Sequence, residues 1–162
     1  MIEYRVGDLF TQLPENTFVL IPHIVNNLGG WGAGFVVPLG KHFPKAQEAY
    51  RDWNEMKLGL TQVIKVAENR VVFNMCAQDG YKSSDNPVPV KYLALAQCLQ
   101  KVNNLARVDD NVEIHAPAFG SDLGGGDWRV IEALIQQAIP NHKIYIYTLT
   151  QEQQDRLLSA LS

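Results

Sequence analysis

Residues 18–35 read FVLIPHIVNNLGGWGAGF, an apolar run that opens into a glycine-rich loop. Its first eight residues, Phe18 to Val25, are almost continuously apolar, the pattern of a strand buried on both faces. Asn26, Asn27 and Leu28 then lead into Gly29, Gly30, Gly32 and Gly34, a loop that precedes a helical stretch. No Asp, Glu, Lys or Arg occurs from Asn16 to Gly40. Pro22, Pro38 and the glycines exclude a membrane span, because a bilayer would leave that backbone without partners. A second loop of the same kind, Gly120 to Asp127, also follows a strand-like segment and opens a helix. The two loops hold eight of the 12 glycines in the 162 residues. Glycine lets the backbone turn at positive φ and approach a ligand closely. N–H groups freed at a helix start bind phosphate oxygens. Two such loops predict a pyrophosphate gripped from both sides.

Outward from these loops, strands are predicted at Ile2–Val6, Thr61–Ala67, Val71–Cys76, Val112–Phe119 and Lys143–Leu149. Glu68-Asn69-Arg70 reads as the turn of a hairpin. Helices are predicted at Pro44–Met56, Lys91–Ala106, Trp128–Ile139 and Gln151–Leu161. Asp127 is a good N-cap for the third of these, and Pro140 stops it. The alternation implies one α/β domain over residues 1–162, with a mixed, mostly parallel sheet and helices on both faces. Ligands in such sheets sit at the carboxyl ends of strands.

Composition narrows the function. With 14 Lys+Arg against 17 Asp+Glu, the net charge is −3, and no basic cluster could neutralise a run of phosphates. Nucleic acid is therefore not the expected main partner. Only Cys76 and Cys98 are present, read as buried free thiols of a reducing compartment. The first residues carry no signal-peptide pattern, so the expected localisation is cytoplasmic. No spacing of Cys or His suits a metal site. Known phosphate motifs do not match: Gly34 to Lys41 is one residue too long for a P-loop, His42 replaces its Ser/Thr, and the first loop has no GxGxxG.

The run from His23 through Phe35, continued by Lys41-His42-Phe43-Pro44 and Tyr50, resembles the first ligand loop and helix of the macrodomains. Gly7-Asp8-Leu9-Phe10, Asn74-Met75 with Gln78, Gly120 through Trp128, and Tyr147-Thr148-Leu149 agree in order. The likeness is greatest to the branch that processes ADP-ribose 1''-phosphate, which includes a yeast phosphatase and a terminal ADP-ribose glycohydrolase. It implies a three-layer α/β/α fold and an ADP-ribose cleft, with no cofactor and no metal. By position, Asp8 would accept the adenine amino group with Leu9 beside it, and Asn26 would face the distal ribose. Gly32, Ala33, Gly34 and Phe35 would bind the diphosphate through backbone N–H groups. Ser121, Leu123, Gly124 and Gly125 would close over it.

The same resemblance separates the chemistries. One hydrolase branch carries an Asp just after the first-loop glycines, where this chain has Phe35-Val36-Val37. The glycohydrolase uses a Lys and an Asp, here replaced by Gln78 and Gly124, and a Gln forms no Schiff base. His23 matches a His of the phosphatase branch, as general acid or water-positioning group. Asp122 is the second catalytic candidate. The expectation is hydrolysis of ADP-ribose 1''-phosphate to ADP-ribose and phosphate. Two alternatives stand beside it: a non-catalytic ADP-ribose-binding module, and a hydrolase that removes ADP-ribose from a modified macromolecule. Asp79 and Asp85 are unranked further candidates.

Overall fold

A computed structural model describes residues 1–162. Six strands form one sheet: β1 (Ile2–Val6), β2 (Val19–Asn26), β3 (Thr61–Ala67), β4 (Arg70–Gln78), β5 (Glu113–Pro117) and β6 (Ile144–Thr148). Their order is β1-β6-β5-β2-β4-β3. Every neighbouring pair is parallel except the β3–β4 hairpin, which turns at Glu68-Asn69. Five helices complete the chain: α1 (Val36–His42), α2 (Pro44–Arg51), α3 (Tyr92–Ala106), α4 (Trp128–Ala138) and α5 (Gln151–Ser159). No helix is long and apolar enough to cross a membrane.

Strand residues alternate between two apolar layers. Leu20, Phe73, Met75, Ile114, Ala116 and Ile146 face one way and pack with Leu95, Leu99, Ile131, Ile135 and Leu157 of α3, α4 and α5. Val19, Ile21 and Val72 face the other way, against Leu39 of α1 and Ala46 of α2. Continuous apolarity in β2 follows directly, because that strand is covered on both sides. Asp127 caps α4 by accepting the Arg129 N–H at 3.0 Å.

One local reading changes. The Pro44–Met56 helix ends at Arg51. Trp53 and Met56 still reach the core, from a turn that folds back onto Val25, Tyr50 and Cys76. After β1, a 3-10 turn spans Leu9–Thr11, started by the Asp8 carboxylate, which accepts the Phe10 N–H at 2.9 Å.

This topology fixes the place of the site. β2 and β5 are neighbours in the sheet, and each ends in a glycine loop. The two loops therefore flank one position at the carboxyl edge of the sheet.

Candidate functional site

A cleft of about 1030 Å³ opens at that edge. Its walls come from the turn after β1, both glycine loops, the ends of β4 and β6, and α5. Gly32, Ala33, Gly34 and Phe35 line one side, and Ser121, Asp122, Leu123 and Gly124 line the other. None of these eight residues donates its backbone N–H to another group of the protein. Gly32, Ala33, Gly34, Asp122 and Leu123 are exposed, so their free N–H groups are open to water or to an acceptor on a ligand. The loops touch across the cleft: a Cβ on Gly34 would lie 3.0 Å from Leu123 Cδ1. Gly34 has φ +81°, and Gly120, at the root of the second loop, has φ +79°.

Asn26 shapes the first loop. Its Oδ1 accepts the Leu28 N–H at 2.9 Å, the Gly30 N–H at 3.1 Å and the Tyr50 hydroxyl at 3.1 Å. Its Nδ2 donates one hydrogen to Gly30 O at 3.1 Å. Trp31 plugs the loop against the body of the fold, with its ring 5.7 Å from His23 and 5.4 Å from Tyr50. In the second loop, the Asp122 carbonyl accepts the Gly125 N–H at 3.0 Å, and the Ser121 hydroxyl donates to Ala118 O at 2.8 Å. The exposed Asp122 side chain has no partner within the chain.

Gly125 does not line the cleft. It turns away at φ +64°, and a Cβ there would collide with Pro87 O, so its glycine serves loop packing. At the opposite end, Leu9 is buried and Asp8 is exposed. Asp8 spends Oδ1 on its turn and retains Oδ2.

His23 stands in the cleft wall but is only 1% exposed. Burial pushes its pKa down to about 4, against a smaller opposing effect of the Asn74 hydrogen bond. This lowering favours the neutral ring near pH 7, and with it the water-positioning role over that of an imidazolium acid. Its Nε2 lies 2.5 Å from Asn74 Oδ1, and its Nδ1 has no partner within the chain. The unfolded histidine titrates near 6.5, so between 6.5 and 4 the unfolded state binds more protons. The His23 contribution is complete above pH 6.5 and is lost as pH falls through 4. Urea unfolding at pH 7 and pH 4 is expected to show a loss of about 3 kcal/mol from this residue. His23→Gln should remove that component, and an unchanged pH slope in the variant would contradict it. His115, lowered in the same direction chiefly by burial, adds to the slope of both proteins.

Several lining residues had no sequence signal. Tyr81 and Lys82 reach the cleft from the loop after β4. The Tyr81 hydroxyl packs closely on Gly30, so a side chain there would have to displace the exposed Tyr81 side chain. Asp79 instead accepts from Asn27 Nδ2 at 2.9 Å, and neither Asp79 nor Asp85 lines the cleft. Gln78 lines it and donates to Gly80 O at 3.1 Å. Tyr147 belongs to the wall, but its hydroxyl is occupied by Arg5 at 3.2 Å and His115 at 2.8 Å. Gln153 and Arg156 of α5 border the Asp8 end. Only the register of strands and loops brings these residues together.

No protein-family model matches the chain. An ADP-ribose 1''-phosphate phosphatase from Candida albicans is 28% identical over 145 residues, covering 85% of this chain and 93% of that protein. A solved Bacteroides thetaiotaomicron protein of unknown function is 34% identical, with a TM-score of 0.84, covering 92% of this chain and 98% of that one. A macrodomain protein from Streptomyces coelicolor is 31% identical, with a TM-score of 0.78, covering 93% of this chain and 100% of that one.

Proposed function

The chain belongs to the macrodomain family, and from that premise we propose that it binds ADP-ribose and hydrolyses ADP-ribose 1''-phosphate to ADP-ribose and phosphate. The observation that carries this reading is the double row of unpaired backbone N–H groups, four from each loop, along one cleft. Such donors suit a diphosphate, and they do so without a basic patch. Asp8 Oδ2 is free to accept the adenine amino group, with Leu9 beside it. The second Asn26 amide hydrogen is available to a hydroxyl of the distal ribose. The phosphatase from Candida albicans supplies the substrate class.

In this reading His23 acts through Nδ1 as an acceptor, orienting a water or sugar hydroxyl at the reacting end. Asp122 faces the same cleft and orients the attacking water. The water oxygen bonds to phosphorus as the bond between phosphorus and the sugar oxygen breaks, and the proton that the water loses ends on the sugar oxygen. Purified protein is expected to release phosphate from ADP-ribose 1''-phosphate, and His23→Ala is expected to lower kcat at least about tenfold with a smaller change in KM. Absence of phosphate release from the wild-type protein would refute the phosphatase reading. Calorimetric ADP-ribose binding without turnover would then identify a binding module.

One observation favours a second reading. Leu28, Tyr81 and Leu123 are 61%, 54% and 51% exposed. Tyr81 and Leu123 line the cleft beside Gly30 and Gly34, and Leu28 lies outside it near Gly80. Exposed side chains of this size at the cleft suit a bulky acceptor carried on the sugar, and an ADP-ribosyl hydrolase would release ADP-ribose from it.

A further inference from the structure

His23 is held from inside the protein by a chain of amides. Asn74, its partner across the β2–β4 ladder, is fully buried. The Asn74 amide nitrogen donates to Ala46 O of α2 at 3.1 Å and to Gln62 Oε1 of β3 at 3.0 Å. Gln62 is fixed in turn, donating its own Nε2 to Ala49 O at 2.8 Å. Both Asn74 amide hydrogens are therefore engaged, and Oδ1 is the atom left to face His23. A carbonyl oxygen only accepts, so the proton of the neutral ring resides on Nε2. Nδ1 then carries a lone pair, is buried in the cleft wall and has no partner within the chain. A buried acceptor in that state needs a donor.

We propose that Asn74, locked by Gln62 and α2, is a positioning residue that holds His23 as the Nε2–H tautomer, so that Nδ1 accepts a hydrogen bond from the substrate or the attacking water. The assignment rests on the role given to His23 under Proposed function. The ring is faced by Trp31 at 5.7 Å and Phe35 at 5.8 Å, neither of which titrates. Beyond them stand Tyr50 of α2, behind Trp31, and His42 of α1, which stacks on Phe10 next to Phe35. The Cys76 thiol lies two residues along β4, and burial pushes its pKa up to about 11. No charged side chain contributes to the ring's titration, so the amide is its one polar partner. Replacing that amide by a carboxylate should therefore have a large, readable effect.

The test is nitrogen NMR of the full chain labelled with 15N-histidine, paired with the pH–rate profile for phosphate release from ADP-ribose 1''-phosphate. Wild-type His23 is expected to show the Nε2–H tautomer and no titration between pH 5 and pH 8. In Asn74→Asp, the carboxylate stabilises the imidazolium, so the His23 midpoint should rise by at least about one pH unit. The acid limb of kcat should move up with it, with KM changed less than about threefold, because a protonated Nδ1 no longer accepts. A merely structural role would lower activity at every pH without moving that limb. An Nδ1–H tautomer, or a wild-type midpoint near 6.5, would overturn the assignment even if the variant failed to fold. A shifted His23 midpoint with an unmoved acid limb would instead overturn the role of His23 in turnover. If the wild-type protein has no turnover, the phosphatase reading fails, and the wild-type tautomer still decides whether Asn74 holds the ring.

Discussion

Gly34→Val is expected to weaken ADP-ribose binding by about a hundredfold or more while the protein stays folded. Gly34 sits at φ +81°, where a β-branched residue is a genuine outlier. Holding valine there would cost on the order of 1–3 kcal/mol. Its Cβ would also lie 3.0 Å from Leu123 Cδ1, so the exposed Leu123 side chain would have to shift. Relaxation of φ would swing the N–H groups of Gly34 and Phe35 away from the cleft. Each hydrogen bond lost to a charged phosphate oxygen is worth roughly 1.5–3 kcal/mol, and each 1.4 kcal/mol is about tenfold in affinity. Gly34 is exposed and lies before α1, so the sheet and helices are not disturbed. Calorimetry with ADP-ribose, beside a far-UV circular dichroism spectrum, checks both halves of the expectation.

Asn26→Ala should produce a different pattern, in which stability and binding fall together. The side chain of Asn26 makes four hydrogen bonds, to Leu28 N, Gly30 N, Gly30 O and the Tyr50 hydroxyl. It is 9% exposed, so water restores few of them. At about 1 kcal/mol for each ordinary bond, the expected loss of stability is about 2–4 kcal/mol. The loop would then lose its shape, and ADP-ribose affinity should drop more than about tenfold. Asn26→Asp retains the acceptor for the two N–H groups and the hydroxyl but repels Gly30 O, so its effects should be intermediate. Urea unfolding and calorimetry separate the possibilities. Unchanged stability with lost binding would show that Asn26 contacts the ligand without shaping the loop.

These predictions mark the border between what the sequence makes legible and what it does not. Strand β2 is legible because its apolar run has a single physical meaning, a strand covered on both faces. The start of α4 is legible because Asp127 caps it through a local bond. The apolar residues Trp53 and Met56 signal burial correctly, but periodicity cannot distinguish a continuing helix from a turn that delivers the same side chains to the core. Both glycine loops are visible, and seven of the eight second- and first-loop residues assigned to the ligand line the cleft. Gly125 does not, because its conformation answers to Pro87 in another loop. Tyr81 and Lys82 escape notice for the same reason: their position is set by the loop after β4 crossing Gly30. His23 is the sharpest case. Its identity and place on a strand are local, but its protonation state depends on burial and on Asn74, 51 residues away in sequence.

The central claim is that backbone N–H groups from two glycine loops hold one diphosphate. Amide NMR during titration with ADP-ribose tests it most directly, with adenosine as the control. The expected result is that Gly32 to Phe35 and Ser121 to Gly124 move together with ADP-ribose, along one saturation curve, and stay still with adenosine. Movement of the Asp8 and Leu9 signals alone, or equal responses of both loops to adenosine, would contradict it.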